Sequence, residues 1–175
     1  NKYGQLGLGN NDNQLEVRKV PNLENIIEIS AGAKHTLALD KNGDVWSWGA
    51  NHLGQLGLGT EENTTRPEKI IGLKDIQQIS AGAYHNIALA KDGKIFTWGW
   101  NDFNQIGNNT KTNWRVPVYI PLNGVKTIKA GTLHSIVLKK DGTVWSWGDN
   151  SLKQCGAFLA NQLNIPNQIK ELENI

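Results

Sequence analysis

The first residues in this chain with the types to do chemistry are three histidines at one repeated spacing. His35, His85 and His134 close the related steps Ala31-Gly32-Ala33-Lys34-His35, Ala81-Gly82-Ala83-Tyr84-His85 and Ala130-Gly131-Thr132-Leu133-His134. Imidazoles ligate metals and act as general bases near neutral pH. Serines recur in the same units, so a nucleophile beside a base is the other chemistry to weigh. The spacing decides against both. A recurrence about every fifty residues puts one imidazole in each unit of a repeat array, which spreads them apart instead of gathering them in a cleft. Each is expected to be structural, with a ring nitrogen satisfying backbone near the tight Ala-Gly turn. The glycines of Gly54-Gln55-Leu56-Gly57 fall in a β loop, with no helix to complete a phosphate cradle. An enzyme is therefore not expected, nor is a metal or cofactor site.

The elements that position these residues follow from the repeat. Ile26-Ile27-Glu28-Ile29-Ser30 alternates apolar and polar residues and reads as strand A, with His35-Thr36-Leu37-Ala38-Leu39 as strand B. Asn42-Gly43, Asp92-Gly93 and Asp141-Gly142 then predict tight two-residue type I′ hairpins, because such pairs tolerate positive φ. Strand C is Val45-Trp46-Ser47-Trp48 and its counterparts. A Gly-rich loop leads from it to strand D, which Pro67, Pro117 and Pro166 place at an outer edge, since proline donates nothing to a ladder. No segment has a helical period with caps. The fold class is all-β, a β-propeller of four-stranded antiparallel blades at about 26–71, 76–120 and 125–169, with a lone outer strand at 16–21 and the start of a next blade at 171–175. About three and a half repeats of a longer array are expected, with two apolar blade faces left exposed and a tendency to aggregate or dimerise imperfectly. Asn104, Lys153 and Cys155 depart from the Gly-Gln-Leu-Gly pattern and suggest slackened constraint on their loops.

Composition narrows the partner classes. A formal net charge of +2 over 175 residues lacks the basic excess of a dedicated nucleic-acid binder. Lys41, Lys91, Lys94, Lys139 and Lys140 read as solvated hairpin tips. No apolar run is long enough to span a bilayer. The single Cys155 fills the slot of Leu6, Leu56 and Ile106 and reads as a small buried hydrophobe.

In order, the Ala-Gly-x-x-His step, the Asp-Gly hairpin, the Trp-Gly step (Trp48-Gly49, Trp98-Gly99, Trp147-Gly148) and the Asn-x-x-Gly-Gln-Leu-Gly loop resemble the regulator of chromosome condensation repeat family across the whole chain. Kelch units have a similar period, but their adjacent glycine pair is missing. The resemblance implies a seven-bladed propeller whose remaining repeats pack against this segment. Gly32, His35, Trp48, Gly49, Gly82, His85, Trp98, Gly99, Gly131, His134, Trp147 and Gly148 are then structural residues of the repeat. It also implies a choice of functions. Some members promote guanine-nucleotide exchange on a small GTPase and bind chromatin, some sense ultraviolet light through clustered tryptophans, and some bacterial members cover β-lactamase active sites. Light sensing would call for tryptophan between Gly and His of the A-B step, where this chain has Ala33-Lys34, Ala83-Tyr84 and Thr132-Leu133.

Function is expected where the repeats differ. The tryptophans that recur in strand C, Trp46, Trp48, Trp98, Trp145 and Trp147, are accounted for by packing between blades, whereas Trp100 and Trp114 have no aromatic counterparts. With strand A running up, the A-B turns and C-D loops share one face. The residues expected to bind a protein partner there are Lys34, Tyr84 and Leu133 from the turns, and His52, Trp100, Asp102 and Phe103 from the loops. Leu53, Phe103 and Leu152 occupy equivalent positions and have a competing reading, tucked beneath their loops. A passive structural module of a bacterial surface or secreted protein is the competing class.

Overall fold

The chain is described by a computed structural model over residues 1–157 and 160–172. Strand-forming runs separated by glycine-marked turns build three four-stranded antiparallel sheets. The first holds β1 (Ile26–Ala31), β2 (His35–Asp40), β3 (Val45–Gly49) and β4 (Thr64–Lys69). The second holds β5 (Ile76–Ala81), β6 (His85–Ala90), β7 (Ile95–Gly99) and β8 (Trp114–Ile120), and the third β9 (Val125–Ala130), β10 (His134–Lys139), β11 (Val144–Asp149) and β12 (Gln162–Gln168). Each sheet keeps chain order, so the proline-bearing strands β4, β8 and β12 lie at an edge. These are three blades of a β-propeller. Among the described residues no helix is long and apolar enough to cross a membrane.

Three expectations change, and a fourth falls mostly outside the described residues. Residues 16–21 form no strand: a fourth strand needs its own blade's third strand as partner, and β3, β7 and β11 are already paired to β4, β8 and β12. The strand start expected at 171–175 lies, over 173–175, outside the described residues. The hairpins are of the three-residue kind. Gly43 N donates to Asp40 O at 3.0 Å and Asp40 N to Asp44 O at 3.0 Å, with Gly43 alone in the left-handed region (φ 85°). A type I turn closed by a left-handed glycine results, and the aspartate Oδ1 of each turn accepts a backbone N–H nearby. Finally, the divergent loops are not slack. Asn104 (φ 63°) and Lys153 (φ 65°) hold the left-handed conformation of Gly4 and Gly54, and both keep the backbone bond that closes the loop.

The cores lie between blades. Leu37, Leu39, Val45, Ile70 and Leu73 of the first blade bury against Ile76, Ile79, Ala88 and Trp98 of the second. Ile87, Leu89, Ile95, Ile106 and Ile120 of the second bury against Val125, Ile128, Val137 and Trp147 of the third, with Cys155 in the same cluster. Burial pushes the Cys155 thiol up to about 11, so it stays protonated and apolar.

A polar lock sits in each seam. The backbone carbonyl of Gln55 accepts the indole N–H of Trp98 at 3.1 Å and the side-chain amide of Asn86 at 2.8 Å, both from the next blade. Gln5 O does the same for Trp48 (2.9 Å) and Thr36 (3.1 Å), and Gln105 O for Trp147 (2.9 Å) and Ser135 (3.0 Å). Trp46 and Trp145, expected between blades, are half-buried, and their N–H groups turn to Asp40 and Thr143 of their own hairpins.

The seat of each indole requires glycine. A β-carbon on Gly57 (φ 71°) would stand 2.8 Å from Trp98 Nε1, whereas one on Gly72 (φ 97°) would meet nothing within 4 Å. Gly57→Ala is expected to cost roughly 3 kcal/mol, combining left-handed strain with overpacking, and Gly72→Ala about 1 kcal/mol from strain alone. Urea unfolding of the full-length protein checks this. Equal costs would show that the loop does not seat on the indole.

Candidate functional site

The histidines are spacers between blades. His35 Nε2 lies 2.7 Å from Asn86 Oδ1, and His85 Nε2 lies 3.1 Å from Ser135 Oγ. Asn86 and Ser135 already donate to Gln55 O and Gln105 O, so each accepts from the imidazole and Nε2 carries the proton. The ring's partner is therefore a side chain of the next blade, not the backbone of its own turn as the sequence suggested. Nδ1 of both rings is buried without a partner, and a β-carbon on Gly32 would come within 2.4 Å of His35 Nδ1. Burial lowers His35 to about 4 and His85 to about 3, the latter also opposed by charge on the flanking histidines. His134 is lowered by burial as well. Among the described residues no group of three or more His, Cys, Asp or Glu comes together to hold a metal ion.

The turn-and-loop face is assembled by backbone bonds. Trp100 N donates to Tyr84 O at 2.9 Å, as Ala50 N does to Lys34 O and Asp149 N to Leu133 O. That contact explains the Trp-Gly step. A β-carbon on Gly99 would stand 2.4 Å from Tyr84 O, so only glycine lets the turn approach. Side chains at the two bonded positions are consequently neighbours in every blade, and in the second blade they are tyrosine and tryptophan.

Five rings form a continuous row. Tyr3 and His52 have centroids 6.4 Å apart, His52 and Tyr84 5.9 Å, Tyr84 and Trp100 5.9 Å, and Trp100 and Phe103 5.2 Å, the last three pairs edge to face. Lys34 Nζ stands 4.9 Å from the Tyr3 centroid and Lys2 Nζ 5.6 Å, a cationic end to the row. His52 is exposed and the other four rings are half-buried. The structure thus brings together Lys34, His52, Tyr84, Trp100 and Phe103. Asp102 is exposed in the same loop as Phe103, and Leu133 is half-buried in the third turn without joining the ring contacts. Tyr3 is an addition. It aligns with Leu53, Phe103 and Leu152, so comparing the repeats at that position would have found it. Leu152 is 86% exposed and does not tuck under its loop. Trp114 opens β8, packs on the core between the second and third blades and makes none of the ring contacts of the row.

The opposite face is largely self-neutralised. Lys94 pairs with Asp92 at 2.6 Å, Lys139 with Asp141 at 3.1 Å and Lys91 with Asp75 at 4.0 Å. Lys94 holds the exposed Asp92 carboxyl below its ordinary range through a hydrogen bond.

Comparison with known proteins follows the same lines. The model of the regulator of chromosome condensation (RCC1) repeat matches residues 1–39, 42–89 and 92–138, and a second model of that repeat matches 26–55, 76–105 and 125–154. Human WBSCR16 is similar in structure, with TM-score 0.84 and 25% identity over 95% of this chain and 45% of that one. Yeast RCC1 (Prp20), solved bound to Kap60, gives 0.76 and 25% over 85% of this chain and 37% of that one. The ultraviolet-B receptor UVR8 of Arabidopsis thaliana is 39% identical over 51 residues, 28% of this chain and 12% of the receptor. The chain spans less than half the length of each of these relatives.

The buried histidines make the fold acid-sensitive. Unfolded, each takes a proton near 6.5, whereas folded His35 resists to about 4 and His85 to about 3. The unfolded state binds the extra protons in between, so stability is full above the unfolded value. It then falls with pH, approaching about 1.4 kcal/mol per pH unit for each ring. The urea midpoint of the full-length protein should drop between pH 6.5 and 5, ahead of the carboxylates. A flat midpoint there would contradict neutral buried rings.

Proposed function

The chain belongs to the regulator of chromosome condensation (RCC1) repeat family, and on that footing we propose that it is a non-catalytic binding propeller that takes a protein partner on its turn-and-loop face. One observation carries this: the row Tyr3, His52, Tyr84, Trp100 and Phe103, which the repeat does not demand. At the bonded pair of positions the first blade has Lys34 and Ala50 and the third Leu133 and Asp149, both compatible with the same backbone. Tyrosine and tryptophan offer large, stiff contact area at small entropic cost and dominate binding hot spots. Rings set on a rigid sheet scaffold are pre-organised, which lowers the cost of association.

The relatives lend support of the same kind. Prp20 was solved with Kap60 bound, and Saccharomyces cerevisiae Prp20p, with TM-score 0.78 and 24% identity over 94% of this chain and 44% of that one, was studied for binding to Gsp1p and histones. Lys34, Tyr84, His52, Trp100, Asp102 and Phe103 are proposed as contact residues, with Leu133 at the margin and Tyr3 added to them.

Affinity capture from native lysate with the full-length protein tests the reading. The double variant Tyr84→Ala, Trp100→Ala should lose a specific partner by about tenfold or more in Kd, while Lys91→Ala with Lys140→Ala on the opposite face retains it. The row variant should unfold within about 1.5 kcal/mol of wild type, since its rings are only partly buried. A partner lost by the lysine variant and kept by the row variant would retire the proposal.

A further inference from the structure

The chain has two Asn-Gly steps, Asn42-Gly43 and Asn123-Gly124, and the structure treats them oppositely. At such steps the glycine amide nitrogen can attack the asparagine side-chain carbonyl. In the first step that nitrogen is tied: Gly43 is buried, its N–H donates to Asp40 O at 3.0 Å, and Asn42 N is held by Asp40 Oδ1 at 2.9 Å. In the second, Asn123 is exposed, and among the described residues Gly124 N donates no hydrogen bond.

The surroundings of the second step also favour the reaction. The Tyr119 hydroxyl donates to Asn123 Oδ1 at 3.1 Å, the oxygen that carries negative charge when the tetrahedral intermediate forms. The Lys139 side chain passes beside the step, its Cε 3.8 Å from a β-carbon placed on Gly124 and its ammonium paired with Asp141 Oδ2 at 3.1 Å. Gly124 is held in the left-handed region at φ 73° just ahead of β9, and its carbonyl accepts Lys140 N at 2.8 Å.

We propose that Asn123-Gly124 is a self-modifying site, at which Asn123 cyclises onto the Gly124 nitrogen and opens to aspartate and isoaspartate, with Tyr119 as the oxyanion donor. The Gly124 N–H gives its proton to solvent base and its nitrogen bonds to Asn123 Cγ. The side-chain amide then leaves as ammonia, taking a proton from water, and a succinimide remains. Water opens that ring at either carbonyl, so the net change is one water consumed and one ammonia released, without oxidant or cofactor. The product adds a negative charge to the hairpin face. In the isoaspartate form it also adds a methylene to the main chain just before the carbonyl that anchors the third blade's hairpin. The site is on the hairpin face, away from the aromatic row, and does not depend on the binding function.

Peptide mapping by mass spectrometry of the full-length protein, incubated at mildly alkaline pH, tests it. Isoaspartate and aspartate should accumulate at position 123 about tenfold faster than at 42, the rate equivalent of freeing a hydrogen-bonded nucleophile. Tyr119→Phe, which removes an exposed hydroxyl, should slow position 123 about fivefold and leave position 42 unchanged. In urea the two steps should react alike. Equal rates in the folded protein, an unchanged rate in Tyr119→Phe, or a difference that persists in urea would each overturn the proposal.

Discussion

Each blade seam turns on one backbone carbonyl. Gln5, Gln55 and Gln105 present their C=O groups to an indole N–H and a strand-B side chain of the following blade, and a buried indole N–H without an acceptor would be costly. The glutamine side chain helps to hold that carbonyl in place, since its Oε1 accepts the N–H two residues earlier, from Tyr3, Leu53 and Phe103. Because the acceptor is backbone, the second donor is free to differ, and Thr36, Asn86 and Ser135 all serve. Where it is Asn86 or Ser135, it also receives the proton of the preceding blade's histidine. His35 and His85, which look like ligands in the sequence, are thus fixed as neutral donors, and their second nitrogens face glycine.

This arrangement separates what holds the blades from what they display. The lock uses the Gln carbonyl, the indole of the Trp-Gly step and the residue after histidine, fully buried in the second and third blades. The residue before histidine and the residue after Trp-Gly are joined in every blade by a backbone bond, Trp100 N to Tyr84 O in the second. Their side chains can therefore change without altering the fold, and one blade carries Tyr and Trp where its neighbours carry Lys with Ala and Leu with Asp.

The parts legible in the sequence are those set by pattern. Alternation marked the strands, and the prolines marked β4, β8 and β12 as edges, because both signals act within a few residues. The misreadings depend on partners that pattern does not show. Asp-Gly was compatible with two hairpin types, and the longer one that forms lets the aspartate Oδ1 accept the N–H two residues on. Residues 16–21 have strand-like composition but no third strand to receive them. Asn104 and Lys153 break the glycine pattern yet adopt the glycine conformation, since the loop's own hydrogen bonds impose it. The shared face followed from strand direction alone, but the contact of Tyr3 with His52 joins a loop preceding the first blade to the loop between β3 and β4 of that blade, which required the seams themselves.

The same seams set the register of the aromatic row. Ile79 and Ile128 are each 2% exposed, while Ile29, at the equivalent place in β1, is 73% exposed because no preceding sheet covers it among the described residues. A blade therefore draws part of its stability from its neighbours, as in any nearest-neighbour array. Tyr3 is placed on the first blade through the loop whose Gln5 carbonyl meets Trp48, and His52 is placed against the second through the loop whose Gln55 carbonyl meets Trp98. Tyr84, Trp100 and Phe103 then belong to that second blade. The five rings keep their contacts only while both carbonyls stay engaged, so the aromatic row has the stability of its weaker seam and not that of any one sheet.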